Sequence, residues 1–96
     1  MIYTISDLQN VIAPIAKKYQ IPAIYLFGSY AKGMATPASD VDLLVCTTVT
    51  GLQFFGLVEE LRERLKKKVD VLDQRQIEEN SGLIHEILKD GIKIYG

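Results

Sequence analysis

A chain of 96 residues, 48% hydrophobic and 24% charged, has the composition of a folded globular domain and is too short for two. Its net charge of −1 supplies no global positive field, which disfavours a nucleic-acid polymer but leaves room for a small anion held by local donors and metal. The lone cysteine, Cys46, excludes an internal disulfide and reads as a core thiol, and the first residues carry neither a basic start nor a long apolar run, so no signal peptide or membrane helix is expected and a cytoplasmic protein is.

Leu8, Val11, Ile12, Ile15, Ala16 and Tyr19 recur at three- and four-residue steps, which predicts a helix starting near Thr4, an N-cap with Asp7 three residues on, and ending at Pro22. Residues 23–27, between Pro22 and Gly28, read as a short buried strand, and residues 41–46 as a second. Gly28 and Gly33 bracket a helical turn over residues 29–32, and residues 33–39 form the connecting loop. Thr50 with Gln53 has the pattern of a capping box, and Leu52, Phe55, Val58, Leu61 and Leu65 then line one side of a helix that closes on Lys66, Lys67 and Lys68. Those lysines suit a helix C-terminus and read first as solvated surface, with phosphate contact as the alternative. Residues 69–72 are a third strand; Asn80 or Ser81 caps a last helix through Leu83, Ile84, Ile87 and Leu88, which stops at Gly91 before a short strand over residues 92–95. Helices alternating with short apolar strands predict an α/β or α+β fold, a small mixed β-sheet flanked by helices.

The chemistry concentrates in two places. Side chains two apart on a strand share a face, so Asp40 and Asp42 project together while Val41 and Leu43 point away. Paired carboxylates attract a hard cation, and magnesium fills the rest of its octahedron with water and phosphate oxygens; zinc is disfavoured because no His or Cys accompanies them. Asp70, inside the apolar run of residues 69–72, reaches the same face if its strand pairs with the second one. A carboxylate in such a run needs a reason to be there, because unpaired burial is costly. Three carboxylates can hold two metal ions for an in-line displacement at phosphorus, and Asp70 is the better placed base, with Asp73 at the strand end as its substitute. Gly28 permits a tight exit from the first strand and close approach of a phosphate to the backbone N–H groups that follow, Ser29 adds a hydroxyl and Lys32 a positive charge. Tyr30 reads as packing, and His85 as a rim histidine.

The run Gly28-Ser29, ten residues, then Asp40-Val41-Asp42 resembles the minimal nucleotidyltransferase (MNT) family of the polymerase-beta superfamily, and the likeness extends over nearly the whole chain. It takes in the leading helix, the approach Thr36-Pro37-Ala38-Ser39-Asp40, the third carboxylate at Asp70 and the closing Asp90-Gly91 turn. The resemblance implies a polymerase-beta-like nucleotidyltransferase domain over residues 1–96. It implies Mg-ATP bound at Gly28, Ser29, Lys32 and Ser39, with two magnesium ions on Asp40, Asp42 and Asp70 and Asp70 as ligand or base. Lys32 departs from the arginine frequent in the family and gives up its two-pronged fork. Such stand-alone domains resemble the antitoxin of HEPN/MNT toxin-antitoxin pairs, which implies transfer of AMP to a tyrosine hydroxyl of a HEPN toxin and a hetero-oligomer with that toxin. Two other readings stay open: an inert antitoxin that neutralises its partner by covering it, and a subunit of an enzyme that modifies a small molecule such as an antibiotic.

Overall fold

In a computed structural model, which describes residues 2–77 and 82–96, helix α1 spans Ile5–Lys18 and opens with the expected reciprocal cap. The Asp7 N–H donates to Thr4 Oγ1 and the Thr4 N–H to Asp7 Oδ2, each at 3.0 Å, which satisfies two N–H groups that a helix start leaves without partners. Pro14 stands inside the helix at an exposed position, where the Asn10 carbonyl that loses its donor can be hydrated. The helix stops before Pro22 acts. Gln20 turns left-handed (φ 55), its N–H donates to the Lys17 carbonyl, and the Ile21 N–H reaches back to Ala16, the Schellman arrangement with a buried apolar residue behind it.

Strands β1 (Ala23–Phe27), β2 (Val41–Cys46), β3 (Val69–Asp73) and β4 (Ile92–Tyr95) form one mixed sheet in the order β3-β2-β1-β4. β1 runs antiparallel to both β2 and β4, whereas β3 runs parallel to β2, the connection being made by helix α3 (Gly51–Leu65). Ile24, Leu26, Val41, Leu43, Val45 and Val69 point to one face and are buried in the same core as Leu8, Ile12, Ile15 and Ala16 of α1 and Leu57, Leu61 and Leu65 of α3. The opposite face carries Tyr25, Asp42, Leu44, Cys46 and Asp70 and is covered only in part, by helix α4 (Gly82–Asp90).

Two expectations for α3 are corrected. Thr50 is its N-cap but makes no side-chain capping bond, and the helix opens on Gly51 at φ 59. The buried stripe is Leu57, Leu61 and Leu65 with Phe54 packed against it, while Leu52 and Phe55 are 89% and 62% exposed. The run Leu52 to Val58 is apolar on more than one side, so helical spacing permits either stripe and packing on α1 chooses between them. α3 ends at left-handed Lys66 (φ 53), and the Leu65 carbonyl accepts the Tyr3 hydroxyl. The proposed caps Asn80 and Ser81 lie outside the described residues, as does the Leu88 side chain; Ile87 of α4 is buried and Leu83 and Ile84 are half-buried. Gly91 closes α4 as expected: its N–H donates to the Ile87 carbonyl at 2.8 Å, and a Cβ there would overlap that carbonyl.

Candidate active site

The strand register builds the site. Asp42 of β2 is paired with Phe27 of β1 on one side and with Asp70 of β3 on the other, so two carboxylates stand side by side on the open face where β1 ends. Directly after Phe27, Gly28 takes φ +73 and opens the four-residue helix α2 (Gly28–Ala31). Its Cα lies so close to Asp42 that a Cβ would overlap the carboxylate, so glycine is required twice over, for the left-handed backbone and for the contact. Burial, then the charge of Asp70 and a hydrogen bond with it, push the Asp42 carboxyl up to about 6, with smaller contributions from Asp40 and Glu86. Two carboxylates held this close favour a shared proton or a cation between them.

Asp40 sits just before β2, and its Oδ2 lies 3.9 Å from Lys68 Nζ. Among the described residues no three Asp, Glu, His or Cys side chains converge as a ready-made metal cage. Three like charges repel one another, and Asp40 is matched to Lys68 rather than to the Asp42–Asp70 pair. The donor set still suits magnesium, which takes one or two carboxylates and leaves its other positions to water and phosphate. Asp42 and Asp70 would hold it, with Asp40 two residues before Asp42, at the entry to β2.

The remaining expected residues divide. Ser29 is half-buried in α2, and its carbonyl accepts the Met34 N–H at 2.9 Å, which folds the loop back on the turn. Lys32 is exposed and forms an ion pair of 3.0 Å with Glu86 of α4; the hydrogen bond it donates to Glu86, then the charge of that carboxylate, raises the lysine above its ordinary value. The Ser39 hydroxyl accepts the Thr36 N–H at 2.8 Å, and the Ser39 N–H donates to the Thr36 carbonyl, so this side chain braces the loop that delivers Asp40.

Asp73 does not substitute for Asp70. Three residues further along the strand, it is paired with Val45 on the opposite face. There Arg75 Nε donates to both of its carboxylate oxygens, Arg75 Nη2 bonds Oδ2 at 2.6 Å and the Val49 carbonyl at 2.6 Å, and the Arg75 hydrogen bonds hold the Asp73 carboxyl below its usual range. Tyr30 is buried, with its hydroxyl oxygen 3.5 Å from the Tyr3 N–H, and His85 is exposed, both as expected. Cys46 is half-buried, its thiol raised by burial, and lines a groove of about 690 Å³ with Tyr25, Leu44, Ile84 and Ile87 beside the carboxylate pair. Sequence reasoning missed Glu86, which arrives from a distant helix with no pattern to betray it. Lys68 is solvated surface as expected, its side chain 69% exposed, and it also lies 3.9 Å from Asp40.

Similarity to known proteins agrees with this geometry. Residues 10–96 match the family model described as Polymerase beta, Nucleotidyltransferase. A provisionally named protein adenylyltransferase of Methanocaldococcus jannaschii is 36% identical over 91 residues, 92% of this chain and 89% of that protein. The protein adenylyltransferase MntA of Shewanella oneidensis is 29% identical over 79 residues, 80% of this chain but 55% of its own length. A toxin–antitoxin crystal structure with AMP-PNP superposes with a TM-score of 0.77 at 26% identity, covering 92% of this chain and 73% of the other. With a turn that only glycine can make set against a carboxylate pair, and a family match across nearly all of its length, the chain belongs to the polymerase beta nucleotidyltransferase family and is a nucleotidyltransferase.

Proposed function

We propose that this protein transfers AMP from Mg-ATP to a tyrosine hydroxyl of a partner HEPN toxin, acting as the antitoxin in a cytoplasmic hetero-oligomer without direct contact to nucleic acid or membrane. The observation that carries the reading is the register that sets Asp42 beside Asp70 and against Gly28. The named adenylyltransferases among its relatives and the toxin–antitoxin fold neighbour with AMP-PNP support AMP as the group and a toxin as the acceptor.

Magnesium on Asp42, Asp70 and Asp40 would supply positive charge where negative charge builds up on the α-phosphate and the departing pyrophosphate. The chain's own residues do the rest. Gly28 lets the triphosphate come against the backbone, and Ser29 offers it a hydroxyl. Lys32 exchanges Glu86 for a phosphate oxygen. The acceptor hydroxyl loses its proton to the Asp42–Asp70 pair, with Asp70 the base, as the oxygen bonds to the α-phosphorus and the bond to the β-phosphate oxygen breaks. Burial, then the charge of Asp70, raises the Asp42 carboxyl beside that base.

The test is the intact mass of the toxin after incubation with this protein and Mg-ATP. One or more added AMP units, absent with Asp42→Asn, is the expected result. A stable complex without added mass overturns the enzymatic reading in favour of an antitoxin that acts by covering its partner.

A further inference from the structure

Lys68 belongs to the lysine run that reads as a helix end, yet its carbonyl already bonds to the sheet. The Val41 N–H donates to the Lys68 carbonyl at 3.1 Å, the bond that closes the first β2–β3 pair, Val41 with Val69, and the Lys68 ammonium lies 3.9 Å from Asp40 Oδ2. Lys68 stands immediately before β3, two residues ahead of Asp70. β3 is an edge strand and the Lys68 side chain is 69% exposed, so its stem swings from a fixed base at the end of the sheet where β1 passes into Gly28. The neighbouring Lys67 does a different job: its Nζ donates to the Pro37 carbonyl at 2.9 Å and braces the loop ahead of Asp40.

We infer that Lys68 is a nucleotide-binding residue that exchanges partners during loading: its ammonium neutralises Asp40 until a divalent cation takes that carboxylate, and it then moves onto the triphosphate. The proposal rests on the nucleotidyltransferase reading of the site. Its physical basis is that one carboxylate cannot serve both cations well. A divalent ion on Asp40 would repel the ammonium that lies 3.9 Å from that carboxylate, and phosphates bound beside Gly28 would offer the ammonium a more concentrated negative charge. The exchange conserves ion pairs, because Asp40–lysine becomes Asp40–metal and lysine–phosphate.

Two equilibria should therefore move in opposite directions in Lys68→Met. Manganese alone, titrated by its electron spin resonance signal, should bind about threefold more tightly, because its competitor for Asp40 is gone. A non-hydrolysable ATP analogue with magnesium should bind about tenfold more weakly in calorimetry, because a charge-assisted phosphate contact is lost. Lys68→Arg should restore analogue affinity to within about threefold of the parent. A merely structural lysine would shift both affinities together or neither, and either result overturns the proposal. Asp42→Asn separates this failure from failure of the site reading. If that variant loses manganese while Lys68→Met changes nothing, the site stands and Lys68 has no part in it; if it binds manganese normally, the carboxylate reading itself fails.

Discussion

Strand β2 shows two faces separated by a single residue. Val41, Leu43 and Val45 are completely buried against α1 and α3, while Asp42, between the first two, stands half-buried beside Asp70 on a face that α4 covers only in part. The apolar face gains free energy from leaving water, and on the other burial, then the charge of Asp70, raises the pKa of Asp42. The difference teaches that the core side supplies the stability with which the strand tolerates repulsion on the site side. Folding and chemistry are thereby assigned to alternate residues of one segment.

The sharpest way to break that division is from the core. Leu43→Ala, at a fully buried position, is expected to cost about 2–5 kcal/mol in denaturant unfolding, with analogue binding intact in the fraction that stays folded. Gly28→Ala tests the contact between the faces. It forces a side chain into a left-handed backbone and onto the Asp42 carboxylate, and should cost about 1–3 kcal/mol of stability and weaken nucleotide binding, whereas alanine at exposed Gly82, with open space around it, should not. The smallest effect sharpens the account of the acid pair. The Asp42 carboxyl rises from 3.8 to about 6 on folding, so between those values the unfolded chain gives up a proton that the folded protein keeps. Stability from this group is then lost as pH rises from about 4 to about 6 and stays lost above. With a chelator present, the melting temperature of Asp42→Asn relative to the parent should therefore rise between pH 4 and pH 7. A flat difference would mean that neither burial nor the neighbouring Asp70 raises this carboxyl.

Much of this was legible in the residue order. Thr4 and Asp7 form their cap from groups three residues apart, a local geometry that needs nothing else. The four strands fall where short apolar runs meet Gly or Pro, and Gly28 with Asp42 is recognisable because one tight turn and one alternation suffice to define each. Asp73 could have been dismissed from parity alone, since three steps along a strand reverse the face. Other features were not legible. Leu52 and Phe55 satisfy helical spacing as well as Leu57 does, and the choice between the two stripes lies in where α3 meets α1. Lys32 finds Glu86 54 residues away, and Lys68 finds Asp40 only because β3 pairs with β2 in parallel.

Residue order settles the elements and the face on which each acid of a strand lies, because caps, strand alternation and glycine turns act over a few residues. Tertiary structure alone decided which acids stand together and which lysine answers each, because charges interact strongly only at separations of a few ångströms, and those separations are set by strand pairing and helix packing between segments far apart in the chain.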